Sequence, residues 1–145
     1  MFPSPSRHPW RRLTAKLPFV WTSGRLCDFK GCNRPDLEPK NILGWFWSGS
    51  GVKIAPTNAS PAGWGYNPWS ATGHLSIPQP DNAEFGINNT TESCLAVLNS
   101  VYKKGDTAWH DIACYHSKYV ICEDSPPLLK YIRELAVRQK LTIEL

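Results

Sequence analysis

The chain has 145 residues, a length that suits one ordinary domain and is short for two. Charged residues make up 19% and hydrophobic residues 41%, a balance that excludes a disordered acidic tail and a coiled coil. The net charge of +4 comes from the ends, because residues 1–26 carry +5 and residues 126–145 carry +2, whereas residues 27–125 carry −3. Charge runs at chain ends are usually solvated, so no nucleic-acid partner is expected. No apolar run approaches the ~20 residues that a membrane span needs.

Short strand candidates, separated by turn residues, dominate the predicted secondary structure. Residues 17–22 and 44–48 are strand candidates because they are rich in aromatic and β-branched residues. Residues 94–98, 109–114 and 119–123 are short, apolar and bounded by turn residues, and they predict a small antiparallel sheet. The region 48–93 is dense in Gly, Pro, Asn, Ser and Thr, which is typical of a long loop that is either functional or disordered. Five tryptophans are expected in the core, namely Trp21, Trp45, Trp47, Trp69 and Trp109.

The two ends of the chain differ from this middle segment. Residues 1–16 are basic and irregular, and their prolines interrupt every candidate apolar stretch of a signal peptide. After a pair of prolines, apolar residues recur at helical spacing and predict an amphipathic helix over 127–140. The expected organisation is therefore a basic N-terminus, a module over 17–125, and a C-terminal helix and tail over 126–145.

The cysteines and the glycosylation sequons favour an extracellular glycoprotein. Five cysteines in 145 residues are a high content, and the odd number leaves at least one unpaired in a monomer. Sequons begin at Asn58, Asn88 and Asn89, although the proline after the first sequon makes it a poor acceptor. Both features are typical of secreted modules.

A structural zinc site and an enzyme active site are both disfavoured. Four residues separate the first two cysteines, whereas structural zinc usually uses closer pairs in two matching sets. Histidines and cysteines cluster between residues 110 and 122, but they do not form the second set. No nucleophile elbow or comparable catalytic motif occurs, so the sequence predicts a binding protein rather than an enzyme.

A series of short motifs occurs in a fixed order between residues 17 and 125. The motifs are Trp21-Thr22-Ser23-Gly24, Trp45-Phe46-Trp47, Trp69, Gln79-Pro80-Asp81, Glu92-Ser93-Cys94, Trp109-His110-Asp111-Ile112-Ala113-Cys114 and Cys122-Glu123. Each motif alone is weak evidence. The ordered set, with cysteines at matching spacing, resembles the C-type lectin domain, particularly its secreted invertebrate form.

The resemblance implies an α+β domain, a C-type lectin-like fold with small antiparallel sheets and a long loop region. It also implies a disulfide between Cys94 and Cys114 and a short local disulfide between Cys27 and Cys32. The family's usual N-terminal strand and two helices have no counterpart here, so Cys122 is expected to be unpaired, because its partner lies on the first of those helices. Such an N-terminally truncated domain is expected to be marginally stable or unfolded, since apolar sheet surface loses its cover.

The resemblance further implies a calcium site in the long loop region. Carried over position by position, the metal ligands are Gln79, Asp81, Glu92 and Asp111, with a cis peptide before Pro80. Ca²⁺ takes about six to eight oxygen ligands, and two vicinal sugar hydroxyls complete its shell, which couples sugar binding to the metal. In the family, Gln-Pro-Asp accompanies a galactose-type preference.

Two further features set the expected sugar contacts. His110 stands where the family's strongest binders carry Asn, and weaker calcium affinity is expected because an imidazole offers no oxygen ligand. An aromatic platform against the apolar face of the sugar is expected from Phe85, Trp64 or Tyr66. The sugar-binding set implied by the resemblance is Gln79, Asp81, Glu92, His110, Asp111 and Phe85.

Three functions remain open from the sequence. The leading one is calcium-dependent binding of a galactose-type glycan by a secreted lectin. The second is a C-type lectin-like module that binds protein, extracellular matrix or a cell-surface glycoprotein without calcium. The third is a truncated product without binding function. The family implies an extracellular location, although no signal peptide is predicted.

Overall fold

The computed structural model describes residues 17–121 and 126–139. These residues form one sheet, three helices and a long loop region. The strands are β1 Phe19–Leu26, β2 Trp45–Trp47, β3 Cys94–Asn99, β4 Thr107–Ile112 and β5 Tyr119–Val120. The helices are α1 Lys40–Leu43, α2 Phe85–Asn88 and α3 Pro126–Gln139, and Pro35–Leu37 form a 3-10 turn. The structure is thus of the mixed α+β class that the sequence predicts. The N-terminus predicted to be irregular, residues 1–16, and Cys122 lie outside the described residues.

The sheet has the strand order β2-β1-β3-β4, and its three neighbouring pairs are antiparallel, of which the sequence predicts the β3–β4 pair. Strand β5 departs from this pattern, because Tyr119–Val120 pairs in parallel with β1. The strand predicted over 17–22 is too short, since β1 continues to Leu26. Gly24 belongs to the strand rather than to a turn. A Cβ there would lie 2.8 Å from the Cβ of Leu95, so the glycine is what allows β1 and β3 to approach closely at this point.

The hydrophobic core lies between the sheet and the long loop region. A buried cluster joins Leu26, Trp45 and Leu95 of the strands to Ile54 and Trp69 of the loop. The rings of Trp45 and Trp69 meet edge to face, with their centroids 5.0 Å apart. The long loop region is therefore an ordered layer over the sheet rather than a disordered insertion.

The expected burial of five tryptophans is confirmed for most of them. Trp45 and Trp69 are buried, and Trp47 and Trp109 are partly buried and pack against the core cluster. Trp21 is also partly buried, but it lies outside this cluster. Its ring instead faces the ammonium group of a lysine that follows β4.

Two disulfides link segments that adjoin the sheet. Cys27 is bonded to Cys32, which closes the turn after β1. Cys94, the first residue of β3, is bonded to Cys114, two residues beyond the end of β4. Both pairs are the ones that the family resemblance implies. The second bond holds the segment after β4 against the start of β3.

The C-terminal helix α3 agrees with the helix predicted over 127–140 to within one residue at each end. Its 14 residues rise about 21 Å, which is less than the ~30 Å of a bilayer's hydrocarbon layer. Within the described ranges, no helix combines the length and the hydropathy that crossing a membrane requires.

Candidate cation and ligand site

Three carboxylates that the resemblance assigns to one ion converge beside β4. Asp81 and Glu92 stand at the two ends of the loop that contains α2, and Asp111 lies in β4. The three side chains offer oxygen atoms that all lie within 4.8 Å of one another. The fold thus brings together acids that are up to 30 positions apart in the sequence.

The carboxylate of Asp111 holds the loop against β4. Its Oδ1 accepts the backbone N–H of Asp81 at 3.1 Å, and its Oδ2 accepts that of Asn82 at 2.7 Å. The side-chain oxygen of Asn82 accepts the backbone N–H of Glu92 at 2.8 Å, which ties the two ends of the loop together. Asn82 has a φ of 50°, in the left-handed region that Asn adopts more readily than most residues.

Two oxygens of the cluster are buried without a hydrogen bond. They are Oδ2 of Asp81 and Oε2 of Glu92, and neither has a partner among the described residues. Leaving a buried polar group without a partner costs about 1–3 kcal/mol, and more for a charged group. Such atoms therefore indicate a partner that completes the site, and for two carboxylates the fitting partner is a cation.

Burial and mutual repulsion raise the pKa values of the cluster. Burial, followed by the charge of Asp111, raises the pKa of Glu92 to about 7. Burial also raises the pKa of Asp111 to about 6, although backbone hydrogen bonds from Asn82 and Asp81 act in the opposite direction. The cluster concentrates negative charge where water solvates it poorly, and a divalent cation would relieve both effects.

The spacing of the cluster fits a hard cation of the size of calcium. Ca²⁺–oxygen distances are about 2.3–2.6 Å, so two ligands on opposite sides of the ion lie about 5 Å apart. The 4.8 Å span of the carboxylate oxygens is within that limit. Asp81, Glu92 and Asp111 could therefore hold the ion, and Gln79 could add an amide oxygen.

Gln79 lines the same cavity as the cluster with a buried amide side chain. Its backbone N–H donates to the carbonyl of Ser70 at 2.8 Å, and the peptide between Gln79 and Pro80 is cis, as expected. A Cβ on Gly73 would lie 2.2 Å from Nε2 of Gln79, so the absence of a side chain at position 73 leaves room for the amide. Gly73 therefore shapes the site, and no local sequence pattern marks it.

His110 occupies the position next to Asp111 and lines the same cavity. The residue is 5% exposed, and its ring lies against Tyr102 with the centroids 5.4 Å apart. Burial lowers the pKa of His110, which favours a neutral imidazole at pH 7. A neutral ring carries one N–H that can donate to a ligand, but it supplies no oxygen to a metal.

A cavity of about 420 Å³ opens beside the carboxylates. Its aromatic lining includes Tyr102 and Tyr115, next to the polar side chains of the site. Burial, followed by the charges of Glu92 and Asp81, raises the pKa of Tyr102, so the negative charge of the cluster acts on its hydroxyl. A cavity of this size accommodates a small ligand in contact with the acids.

The aromatic residues expected to contact the sugar do not line this cavity. Phe85 is half exposed on α2, and the rings of Trp64 and Tyr66 face each other on the long loop with centroids 5.7 Å apart. None of the three belongs to the described lining of the cavity. Tyr102 contributes a ring there instead. Sequence reasoning missed it, because a tyrosine in the turn between β3 and β4 carries no signal of its own.

Comparisons of the chain with protein-family models, with characterised proteins and with solved structures gave no match. The resemblance to C-type lectin domains therefore rests on the motif order in the sequence alone. The case for a bound ligand rests on the geometry of the site.

Proposed function

We propose that the chain is a calcium-dependent carbohydrate-binding module of the C-type lectin kind, with a galactose-type site. One observation carries the proposal. Buried carboxylate oxygens of Asp81 and Glu92, beside Asp111, lack a hydrogen-bond partner in the described part of the chain. A calcium ion is the partner that fits their charge and spacing. The motif at Gln79 supports the sugar class, because Gln-Pro-Asp accompanies galactose preference in the family that the sequence resembles.

The residues of the site suit simultaneous binding of an ion and a sugar. Calcium at the carboxylates supplies a positive centre that two vicinal sugar hydroxyls can join as ligands. Asp81, Glu92 and Asp111 place negative charge around that position, and their remaining lone pairs accept hydrogen bonds from the same hydroxyls. Gln79 adds both an acceptor and donors, and the ring of Tyr102 offers a flat apolar surface to the sugar.

An extracellular location accompanies this proposal. Two disulfides are typical of chains that fold in an oxidising compartment. Extracellular modules bind calcium with dissociation constants of about 10⁻⁴–10⁻³ M. The partner of such a module is a galactose-type glycan on a cell-surface or matrix glycoprotein.

Affinity chromatography on immobilised galactose tests the proposed function. The protein is expected to be retained when calcium is present and to elute when a chelator is added. Immobilised mannose is the matched resin and is expected to retain less. Passage through the galactose resin in calcium would contradict the proposal, and so would retention that a chelator does not affect.

Replacing the histidine of the site tests its effect on the metal. His110→Asn is expected to tighten calcium binding by about threefold to tenfold, because the amide offers an oxygen ligand that the imidazole lacks. Isothermal titration with calcium measures the change. An unchanged dissociation constant would show that position 110 does not face the ion.

The ring of Tyr102 provides a test that separates sugar from metal. Tyr102→Ala is expected to weaken galactose binding by about fivefold to tenfold, since an aromatic contact contributes roughly 1 kcal/mol. Calcium affinity is expected to stay within about twofold, because the ring supplies no ligand to the ion. Tyr66→Ala, an exposed tyrosine outside the described cavity lining, is the matched control. Equal sugar binding by the two variants would place the sugar elsewhere.

A second candidate function is supported by His110. A histidine next to Asp111 removes one oxygen from the expected ligand set, which favours a module that binds protein or extracellular matrix without calcium. The two candidates differ in one measurable respect. Binding to a matrix or cell-surface partner that survives a chelator, together with no retention on galactose, would select the second.

A further inference from the structure

The loop between Asp81 and Glu92 carries two of the three cluster acids at its ends. Its regular secondary structure is confined to α2, a single helical turn. The third acid, Asp111, is fixed in β4. The distances among the three carboxylates therefore depend on how this loop is held against β4 and against the residues that follow β4.

Glu84 fastens the loop to the segment that follows β4. Its Oε2 lies 2.9 Å from Nε2 of His116, and its Oε1 accepts the hydroxyl of Tyr115. The same Oε1 accepts Nδ2 of Asn88, at the end of α2, at 2.8 Å. One carboxylate thus joins the start of the loop, its helical turn and the segment after β4. The Glu84 side chain is 14% exposed, and its bond to His116 is partly buried, whereas its bonds to Tyr115 and Asn88 lie at the surface.

The segment that Glu84 contacts is itself firmly anchored. Tyr115 directly follows Cys114, which is bonded to Cys94. Cys94 begins β3, two residues after Glu92. The contacts of Glu84 and the disulfide therefore connect the start of the loop 81–92 to its end.

We propose that Glu84 is a positioning residue that sets the calcium affinity of the Asp81, Glu92 and Asp111 cluster. It does so by fixing the loop 81–92 to the segment after β4, without touching the ion. This inference rests on the proposed function, because it assigns Glu84 a role in the same cation site. A purely structural role differs in its consequence. It would lower the stability of the metal-free protein and leave the affinity of the folded protein for calcium unchanged.

Calcium titration of Glu84 variants tests the inference. Glu84→Ala is expected to weaken calcium binding by about 10–100-fold, the effect usual for residues that orient metal ligands. Glu84→Gln keeps the shape and one acceptor oxygen, so it is expected to fall between this variant and the wild type. Glu38→Gln is the matched control, because Glu38 is exposed and lies outside the described site. Thermal unfolding in chelator measures the metal-free stability of each variant.

Hydrogen exchange gives a readout that does not require calcium. The backbone amides of Asp81 and Asn82 donate to Asp111, so they report how firmly the loop is held. Both amides are expected to exchange faster in Glu84→Ala in the presence of chelator. Tyr115→Phe removes one hydroxyl donor to Glu84, and it serves as the milder variant if the alanine variant does not fold.

The outcomes separate this inference from the proposed function. Weaker calcium binding together with faster loop exchange, with the unfolding temperature in chelator nearly unchanged, supports the role of Glu84. If the wild type binds calcium and Glu84→Ala binds it equally well, the inference alone is overturned. A lower unfolding temperature with unchanged calcium affinity overturns it as well. If the wild type binds no calcium, both the inference and the proposed function are wrong.

Discussion

Asp111→Asn is expected to lower calcium affinity by about a hundredfold or more. The change removes one full charge from a cluster whose oxygens lie within 4.8 Å of one another. Two unit charges about 4 Å apart interact by about 4 kcal/mol at the effective dielectric of a partly solvated site, and calcium carries two charges. The amide keeps an oxygen for one of the two backbone N–H groups that Asp111 accepts, from Asp81 and Asn82, and its NH2 group faces the other. The loop is therefore also expected to be held less firmly, which adds to the loss. Isothermal titration with calcium measures the loss.

The same chemical change at an exposed aspartate provides the control. Asp36 pairs with Arg34 on the surface, where both side chains are more than half exposed. Asp36→Asn is therefore expected to leave both calcium and galactose binding unchanged, because exposed ion pairs contribute little. Equal calcium affinity in Asp111→Asn and Asp36→Asn would remove Asp111 from the cation site.

Glu92→Gln is expected to stabilise the calcium-free protein while it abolishes calcium binding. In the absence of the ion, the charged Glu92 is disfavoured by burial and then by Asp111, which together raise its pKa to about 7. A neutral amide removes that penalty and is expected to add about 1 kcal/mol to the free energy of unfolding at pH 8, after allowance for solvent screening. Chemical unfolding in chelator measures the gain. Calcium then stabilises the wild type but not the variant.

The size of this effect depends on pH. The pKa of Glu92 in the folded, metal-free protein lies above its ordinary value of 4.5, so the folded state binds this proton more tightly than the unfolded chain. Stability in chelator is therefore expected to fall as the pH rises from about 4.5 to about 7, and to level off above that range. Glu92→Gln is expected to flatten this slope, whereas Glu38→Gln is not. An identical slope in wild type and Glu92→Gln would contradict the burial of an ionised Glu92.

The carboxylate set shows what the sequence alone could predict. The resemblance to C-type lectin domains assigns Asp81, Glu92 and Asp111 to one site, and the fold brings their carboxylate oxygens within 4.8 Å of one another. Each acid belongs to a short motif that is weak evidence alone, so the assignment depends on the order of the whole set. The two disulfides were implied in the same way. The strand boundaries were predicted less well, because Gly24 resembles a turn residue and yet serves as a close contact with Leu95.

The residues that sequence reasoning missed act through contacts of loop and turn segments that no sequence pattern marks. Gly73 matters because the amide of Gln79 occupies the space that a Cβ would take. Tyr102 matters because its ring, in the turn between β3 and β4, lies against His110 of β4. Glu84 matters because its partner His116 lies 32 positions away. Such contacts depend on the folded geometry of loops, which has no periodicity to read in the sequence.

The most direct test of the cation site, on which the proposed function depends, is a calcium titration of the wild-type protein by isothermal calorimetry, with thermal unfolding in calcium and in chelator. The proposed function predicts saturable binding at the carboxylate cluster, with a dissociation constant of about 10⁻⁴–10⁻³ M and a higher unfolding temperature in calcium than in chelator. If calcium at several times that concentration gives no binding heat and no shift in unfolding temperature, the cation site is contradicted.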